Sequence, residues 1–395
     1  MQRLTKYEVL AYLAHGAVRS KQLVRLIRQN AFFAGTGERR ITQLIAELKR
    51  DGLAGKDQGM ITPTDKAADL LAFLLWMKKD GVDHNAALQK TNASLFREVF
   101  ARRQGQLTAI SKLSKPTTLK AAKALDQIRF ITVLQRKPLV ARANANDKTI
   151  FLANAFGYDF TAFQKGMKAG GIKRDSPQLR EHLIRLHVYS TTVTEGNTAT
   201  ERDVEKVLSN LDSRLTPKEV IEIVNAKRAI DAVCRVCEKE ELTIELIKRL
   251  HGILMAGLVE NPGQFSYLRK RIIGSSAKLP DSKIEIETGL AAMLNFHRKY
   301  ARKMRPAVHA ALLHFLFVSI HPFLDGNGRV ARLIHSFVLM KAGLPLFAFD
   351  PNYRNDYFSL LDKGRSEDVA GFVQFCIERH QELINDQSTE LGKHG

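Results

Sequence analysis

The chain has 395 residues, 45% hydrophobic and 26% charged, with a formal net charge of +20, and this length predicts two or three domains rather than one core. The longest apolar run, Leu70 to Met77, is far short of the roughly eighteen residues of a membrane span, and the N-terminus lacks the continuous apolar core of a signal peptide. Three cysteines cannot make a disulfide framework, so a cytoplasmic protein without a membrane partner is expected.

The charge is uneven. Residues 1–180 hold 32 Lys and Arg against 14 Asp and Glu, a net +18, whereas residues 181–395 hold 29 against 27, a net +2. A basic first half joined to a nearly neutral second half suggests a polyanion-binding module attached to something else, with nucleic acid the leading partner.

In chain order, Tyr7 to His15 is apolar at helical spacing, Ser20-Lys21-Gln22-Leu23 opens a second helix with Ser20 as N-cap, and Glu38 to Arg50 makes a third that stops at Asp51-Gly52. Leu53 to Lys56 and Met60 to Pro63 flank the turn Asp57-Gln58-Gly59 and predict a hairpin. Three helices and a hairpin resemble a winged helix-turn-helix. Leu70 to Met77 reads as a core helix.

The pattern then returns. Gln106 to Leu113 predicts a helix, Leu119 to Phe130 another, and Ile131 to Gln135 and Thr149 to Ala153 two strands around the polar stretch Arg136 to Lys148. A shift of 77 residues superposes Leu48 and Leu53 on Leu125 and Phe130, which predicts tandem winged helices. In such a module the third helix enters the major groove and the wing follows the backbone. The candidate contacts to double-stranded DNA are Arg39 and Arg40 in the first copy and Lys115, Thr117, Lys120, Lys123 and Arg142 in the second. Lys49, Arg50, Thr118, Arg136, Lys137 and Lys148 are further candidates. Protein docking is the competing use of the same faces. Residues 164–176, with Lys165-Gly166 and Gly170-Gly171, read as linker.

In the second half, residues 309–340 read as helix, polar break, helix. The break runs His321-Pro322-Phe323-Leu324-Asp325-Gly326-Asn327-Gly328-Arg329, with Arg332 one turn later. Pro322 ends the first helix and leaves His321 at its C-terminal end. Gly326, Asn327 and Gly328 tolerate positive φ, so their amides can converge on an anion, beside the positive end of the next helix dipole. Asp325 suits Mg²⁺, which sits on one or two carboxylates plus substrate phosphates. Arg329 and Arg332 share a helix face and can reach two phosphates, and His321 is the general-base candidate.

The stretch HPFLDGNGRVAR, His321 to Arg332, matches the motif HPFx(D/E)GNGRxxR in full, and the chain is identified by it as resembling the Fic family of protein adenylyltransferases over roughly residues 185–380. The resemblance implies that ATP is the substrate and that His321 deprotonates a Ser, Thr or Tyr hydroxyl of a protein, or of the enzyme itself, which then takes AMP. Asp325 would hold Mg²⁺, Gly326, Asn327 and Gly328 the anion, Arg329 the inner phosphates and Arg332 the γ-phosphate. Arg354-Asn355-Asp356-Tyr357-Phe358 is similar to the family's segment near the adenine, which makes Tyr357 a nucleotide contact. Thr191 to Gly196 matches the inhibitory pattern (S/T)xxxE(G/N), with Thr191, Glu195 and Gly196 at its fixed positions. In the family that glutamate pairs with the second arginine of the motif, here Arg332, in the place of the γ-phosphate. Thr194 departs from the aliphatic residue often found there. A β-hairpin flap is expected after Pro262-Gly263-Gln264-Phe265.

The expected fold is mainly α, an all-helical Fic core with a small β-hairpin flap, preceded by two tandem winged-helix (α+β) modules. The boundaries are 1–80 and 88–155 for those modules, 156–180 for a linker, 181–385 for the Fic domain with its inhibitory helix, and 386–395 for a tail. The expected activity is autoinhibited transfer of AMP. The alternatives are a DNA-binding regulator whose Fic domain senses nucleotide, and an enzyme that removes AMP with Glu195 activating water. Cys234-Arg235-Val236-Cys237 lies in a helical pattern with no second pair and reads as structural, and His309, His314 and His335 read as packing residues.

Overall fold

The computed structural model describes residues 4–14, 17–167, 176–272, 275 and 277–391. The chain divides into two compact units, one of Met1–Phe160 with Ser282–Phe296 and one of Thr161–Asp281 with His297–Gly395.

The first unit opens with α1 (Lys6–Leu13), β1 (Val18–Arg19), α2 (Ser20–Gln29) and α3 (Glu38–Arg50), followed by the hairpin β2 (Ala54–Asp57) and β3 (Met60–Pro63). The hairpin turns at Gln58 and Gly59, with φ of 47° and 82°, the primed geometry that matches strand twist. β1 joins the free edge of β3, giving the order β1-β3-β2. The apolar stripe Ile41, Leu44, Ile45 and Leu48 of α3 is buried. Ser20 is the first residue of α2 rather than its cap; Arg19 stands there without a side-chain cap bond.

Next come α4 (Ala68–Lys79), α5 (His84–Leu88) and α6 (Lys90–Arg102), then β4 (Gln104–Gln106), α7 (Leu107–Ile110), α8 (Lys115–Gln127), β5 (Ile131–Arg136), β6 (Leu139–Ala143) and α9 (Asp147–Ala155). The second sheet has the order β4-β6-β5, the same as the first. Both ends of α3 and α8 are offset by the 77 residues of the sequence repeat.

Three readings of this copy need correction. The helix expected over 106–113 is the strand β4 and the short α7, because Gln104–Gln106 pairs with β6. The strand expected over Thr149–Ala153 is α9. The Asn146 side chain accepts from the Thr149 amide at 3.0 Å and Thr149 Oγ1 from the Asn146 amide at 2.8 Å, a capping pair that starts a helix in spite of the β-branched residues. Lys148 therefore lies in a helix, buried, with Nζ 2.5 Å from Asp80 and 3.3 Å from Asp147, and reaches no groove. Packing also joins what the boundary at 80–88 separates. The apolar run of α4 meets elements of the second copy, with Phe73 against Phe130 and the Trp76 ring edge-on to Phe151 at 5.3 Å.

The second unit is helical. It contains α10 (Pro177–Thr194), α11 (Glu201–Leu208), α12 (Pro217–Val236), α13 (Ile244–Leu254), the end of α14 (Lys283–Tyr300), α15 (Pro306–Ile320), α16 (Asn327–Lys341), α17 (Arg354–Ser366) and α18 (Ala370–Leu391). Side chains of Ser176, Thr200, Thr216 and Thr243 accept the third amide of α10, α11, α12 and α13, and proline opens α10, α12 and α15, the two signals that start a helix. α15 is buried on all sides from Val308 to Ile320 and packs closely with α16.

Among the described residues of 262–281 there is no strand, so these residues do not form the expected flap hairpin; residues 273, 274 and 276 lie outside the described set. The linker reading of 156–180 falls partly on residues 168–175, also outside it. Phe160–Gly166 is a 3-10 helix and α10 begins at Pro177. α18 continues to Leu391, past the start assigned to the tail, of which residues 392–395 are not described.

Candidate active site

His321 caps α15 in the left-handed conformation, φ 51° and ψ 57°, an uncommon setting for a residue with a side chain and one that clusters at functional positions. Its Nδ1 lies 3.3 Å from the Val318 carbonyl, which can only accept, so the ring hydrogen sits on Nδ1 and the Nε2 lone pair is free. Burial lowers its pKa to about 4, with Arg365 and Lys270 adding to the effect.

The loop after His321 is held from within. The Asn327 side chain accepts from the Phe323 amide and donates to the Phe323 carbonyl, both at 2.9 Å. Gly326 then enters α16 with φ 79°, a conformation that costs a side-chain-bearing residue. Of the three residues expected to tolerate positive φ, only Gly326 uses it; Asn327 and Gly328 are already helical. Their amides are first-turn amides of α16, which a helix leaves free for an anion.

What meets that helix start is a carboxylate. Glu195 Oε1 is 2.6 Å from Arg332 Nη2, and a Cβ built on Gly328 would collide with the same oxygen. Ser176 and Gly196, φ 105°, bound the helix that carries Glu195. Arg332 is 1% exposed and each of its three guanidinium nitrogens has a partner. Nε donates to Thr191 Oγ1 at 2.8 Å, Nη2 also reaches the Thr191 carbonyl at 3.2 Å, and Nη1 reaches the Tyr357 hydroxyl at 3.4 Å. Burial opposes its charge, but Glu195 and Tyr357 more than offset this and its pKa is raised. Thr194, the departure in the motif, is buried in α10. Its carbonyl accepts from Arg354 Nε at 2.6 Å, so α17 ties down the end of the helix bearing Glu195.

Tyr357, expected as a nucleotide contact, lies inside the protein beside Arg332. It is fully buried, and its hydroxyl bonds His314 Nε2 at 2.8 Å. Burial pushes the phenol up and the His314 imidazole well down, so the hydroxyl keeps its proton and donates it to His314 while accepting from Arg332. Tyr357 therefore positions the arginine. His314 in turn stands 3.3 Å from His335, and both are buried.

Arg329 is also buried, between Asp325 at 3.3 Å and Glu222 at 3.7 Å. The Asp325 side chain is 62% exposed, and its Oδ1 accepts from the Gly326 amide at 2.6 Å. Among the described residues no group of three or more His, Cys, Asp or Glu gathers as a metal site. Asp325 alone fits a cation that takes its other ligands from phosphate and water.

Sequence reasoning missed His251 and Glu222. His251 lies on the apolar face of α13 with Leu246, Ile247, Leu250 and Leu254 and stacks on Phe323, centroids 3.6 Å apart. A single histidine on an apolar helix face gives no signal of its own, because only the fold brings Phe323 to it.

In the first unit, Arg39 is exposed on α3 and Lys115, Lys120 and Lys123 on α8. Arg40 is half-buried, 3.7 Å from Glu47, Thr117 Oγ1 lies 2.8 Å from Ser114 Oγ, and Arg142 lies half-buried in the middle strand, opposite Gln104 and Thr132. Thr118 is buried and bonded to Ser111 and the Ser114 carbonyl, which removes it as a phosphate contact. Lys21, Arg25 and Arg28, not singled out in the sequence, form an exposed row on α2 at helical spacing.

Residues 241–339 match the Fic/DOC family. The chain carries a Fic/DOC domain. It is 29% identical over 217 residues to the protein adenylyltransferase Fic of Drosophila ananassae, covering 52% of this chain and 42% of that protein. It is 28% identical over 202 residues to that of Nematostella vectensis, covering 49% and 47%. The chain thus spans less than half the length of these relatives. A solved structure, Fic-1 (residues 134–508) from C. elegans, is 16% identical and superposes with a TM-score of 0.49, covering 98% of this chain and 99% of that one. The Fic/DOC match takes in His321 to Arg332 and His251 but not Thr191 to Gly196 or Tyr357.

Proposed function

We propose that the Fic/DOC domain transfers AMP from ATP to a Ser, Thr or Tyr hydroxyl of a protein and that Glu195 holds it inhibited. The observation that carries this reading is the carboxylate of Glu195, 2.6 Å from Arg332 at the N-terminal turn of α16. A helix start and a buried guanidinium select an anion, and the protein's own anion stands where a phosphate would.

His321 Nε2 takes the hydroxyl proton as that oxygen attacks the α-phosphorus. A new P–O bond to the protein forms, the bond between the α-phosphorus and the bridging oxygen breaks, and pyrophosphate leaves with the electron pair. The first-turn amides of α16 and Arg329 stabilise the charge on the phosphates, and Arg332 takes the γ-phosphate once Glu195 withdraws. Such transfer needs positioning and charge stabilisation more than covalent help from the protein. Asp325 would hold Mg²⁺, which supplies charge neutralisation on the phosphates.

Label from α-³²P-ATP, and none from γ-³²P-ATP, is expected on protein incubated with the Glu195→Gly variant. Absence of label from both would leave a nucleotide sensor as the better reading. The free-enzyme base also has a low pKa. An unshifted histidine, near 6.5, would be about 90% protonated at pH 5.5, whereas a base at about 4 stays neutral. kcat/KM is therefore expected to hold between pH 7.5 and 5.5; a midpoint near 6.5 would contradict the buried setting of His321.

For the first unit we infer tandem winged helices that bind double-stranded DNA. The repeated strand order, the +14 charge of residues 1–160, 27 Lys and Arg against 13 Asp and Glu, and the exposed Arg39, Lys115, Lys120 and Lys123 support this. With about six phosphates neutralised, log K falls against log salt with a slope of roughly −5. A gel-shift titration of the full chain tests it, and no binding at low salt would favour protein docking.

A further inference from the structure

His251 uses both ring nitrogens on backbone groups. The Gly263 amide, which can only donate, lies 2.7 Å from Nδ1, and the Asp325 carbonyl, which can only accept, lies 3.1 Å from Nε2. The imidazole is therefore neutral with its hydrogen on Nε2. Its ring is stacked on Phe323 at 5°. The same two chain segments meet again where the Ser266 amide donates to the Pro322 carbonyl at 2.9 Å. The turn at Gly263 allows little adjustment, because φ is 85° and a Cβ there would stand 3.0 Å from the Lys248 carbonyl.

The carbonyl of Asp325 and the amide of Gly326 belong to one peptide unit. In a planar trans peptide the C=O and N–H point in opposite directions. A donor fixed on the carbonyl from the α13 side therefore aims the Gly326 amide the other way, where it donates to Asp325 Oδ1 at 2.6 Å. Three independent contacts, from Gly263, Phe323 and Asp325, hold the ring that does this.

We propose that His251 is a positioning residue that sets the Asp325–Gly326 peptide plane, so that the Gly326 amide holds the Asp325 carboxylate beside the anion site at the start of α16. It touches neither substrate nor reacting atoms. The inference rests on the reading of the cradle as a nucleotide site, and it adds a residue from outside the motif to that site's machinery.

The two bonds can be separated by substitution. In His251→Gln the side-chain amide nitrogen replaces Nε2 and keeps the donor to Asp325; in His251→Asn the side-chain oxygen replaces Nδ1 and keeps only the acceptor for Gly263. Both are made in the Glu195→Gly chain, with His251→Ala as reference. Labelling from α-³²P-ATP, with the chain itself and lysate proteins as acceptors, is read beside the Gly326 amide resonance in ¹⁵N NMR.

His251→Asn and His251→Ala are expected to lower transfer about tenfold, the usual weight of one hydrogen bond to a charged assembly, and to move the Gly326 resonance. His251→Gln is expected to retain both within about threefold. Equal rates in all four proteins, or an equal fall in all three variants with the Gly326 resonance unmoved, would overturn the proposal. If the Glu195→Gly parent transfers no AMP, the functional reading fails on its own. The resonance then still decides, since movement in the Asn and Ala variants but not in Gln supports the peptide-plane role and no movement overturns it.

Discussion

Replacing His321 with Ala in the Glu195→Gly chain lowers AMP transfer by about 10²- to 10⁴-fold, the usual contribution of a positioned general base, while the dissociation constant for ATP changes by no more than about threefold. The separation follows from how the site is built. The anion cradle consists of backbone amides at the start of α16, shaped by Asn327 through its two bonds to Phe323, and none of these needs the imidazole. His321 contributes only when the hydroxyl loses its proton, so its removal is felt in the transition state. Single-turnover labelling paired with calorimetric ATP titration measures the two quantities. A variant with unchanged transfer, or one that no longer binds ATP, would remove His321 from the role of base.

Glu195→Gly is expected to raise AMP transfer toward the upper part of the roughly 5- to 150-fold range of autoinhibitory couplings. The reason is the state in which it leaves Arg332. Thr191 Oγ1, the Thr191 carbonyl and the Tyr357 hydroxyl still hold the guanidinium from three sides, so the released donor is already oriented for a phosphate and little ordering is lost on binding. The buried arginine is also left without its counter-ion, an expensive condition that a phosphate relieves. The double variant Glu195→Gly with Arg332→Ala should lose the gain, and Arg332→Ala alone should stay weak, with thermal melts checking that both remain folded. Equal labelling by Glu195→Gly and the unchanged chain would show that the 2.6 Å pair does not limit nucleotide binding.

The sequence by itself determined the parts whose signals are local. Helix starts at Ser176-Pro177 and Thr216-Pro217 follow from side chains that cap their own backbone, and the hairpin turn at Asp57-Gln58-Gly59 from Gly59, which accepts positive φ. The twelve consecutive residues from His321 to Arg332 lie together because one turn between two helices joins them without help from distant chain. The 77-residue repeat was legible because α3 and α8 have the same length and the same stripe of buried residues.

The failures lie where local signals compete. Thr149 to Ala153 has strand composition, yet the Asn146 capping pair starts a helix there, and Lys148 is drawn to the buried side of it by Asp80, 68 residues away. Tyr357 is read as a nucleotide contact by motif, while its partners His314 and Arg332 come from other helices, α15 and α16. The pairing of Glu195 with Arg332 across 137 residues is expected from the family motif and not from any local pattern, whereas only the tertiary structure places His251 beneath Asp325 at a separation of 74. Contacts of that span are fixed by the packing of whole helices, which burial of their apolar faces decides and which no short window of sequence encodes.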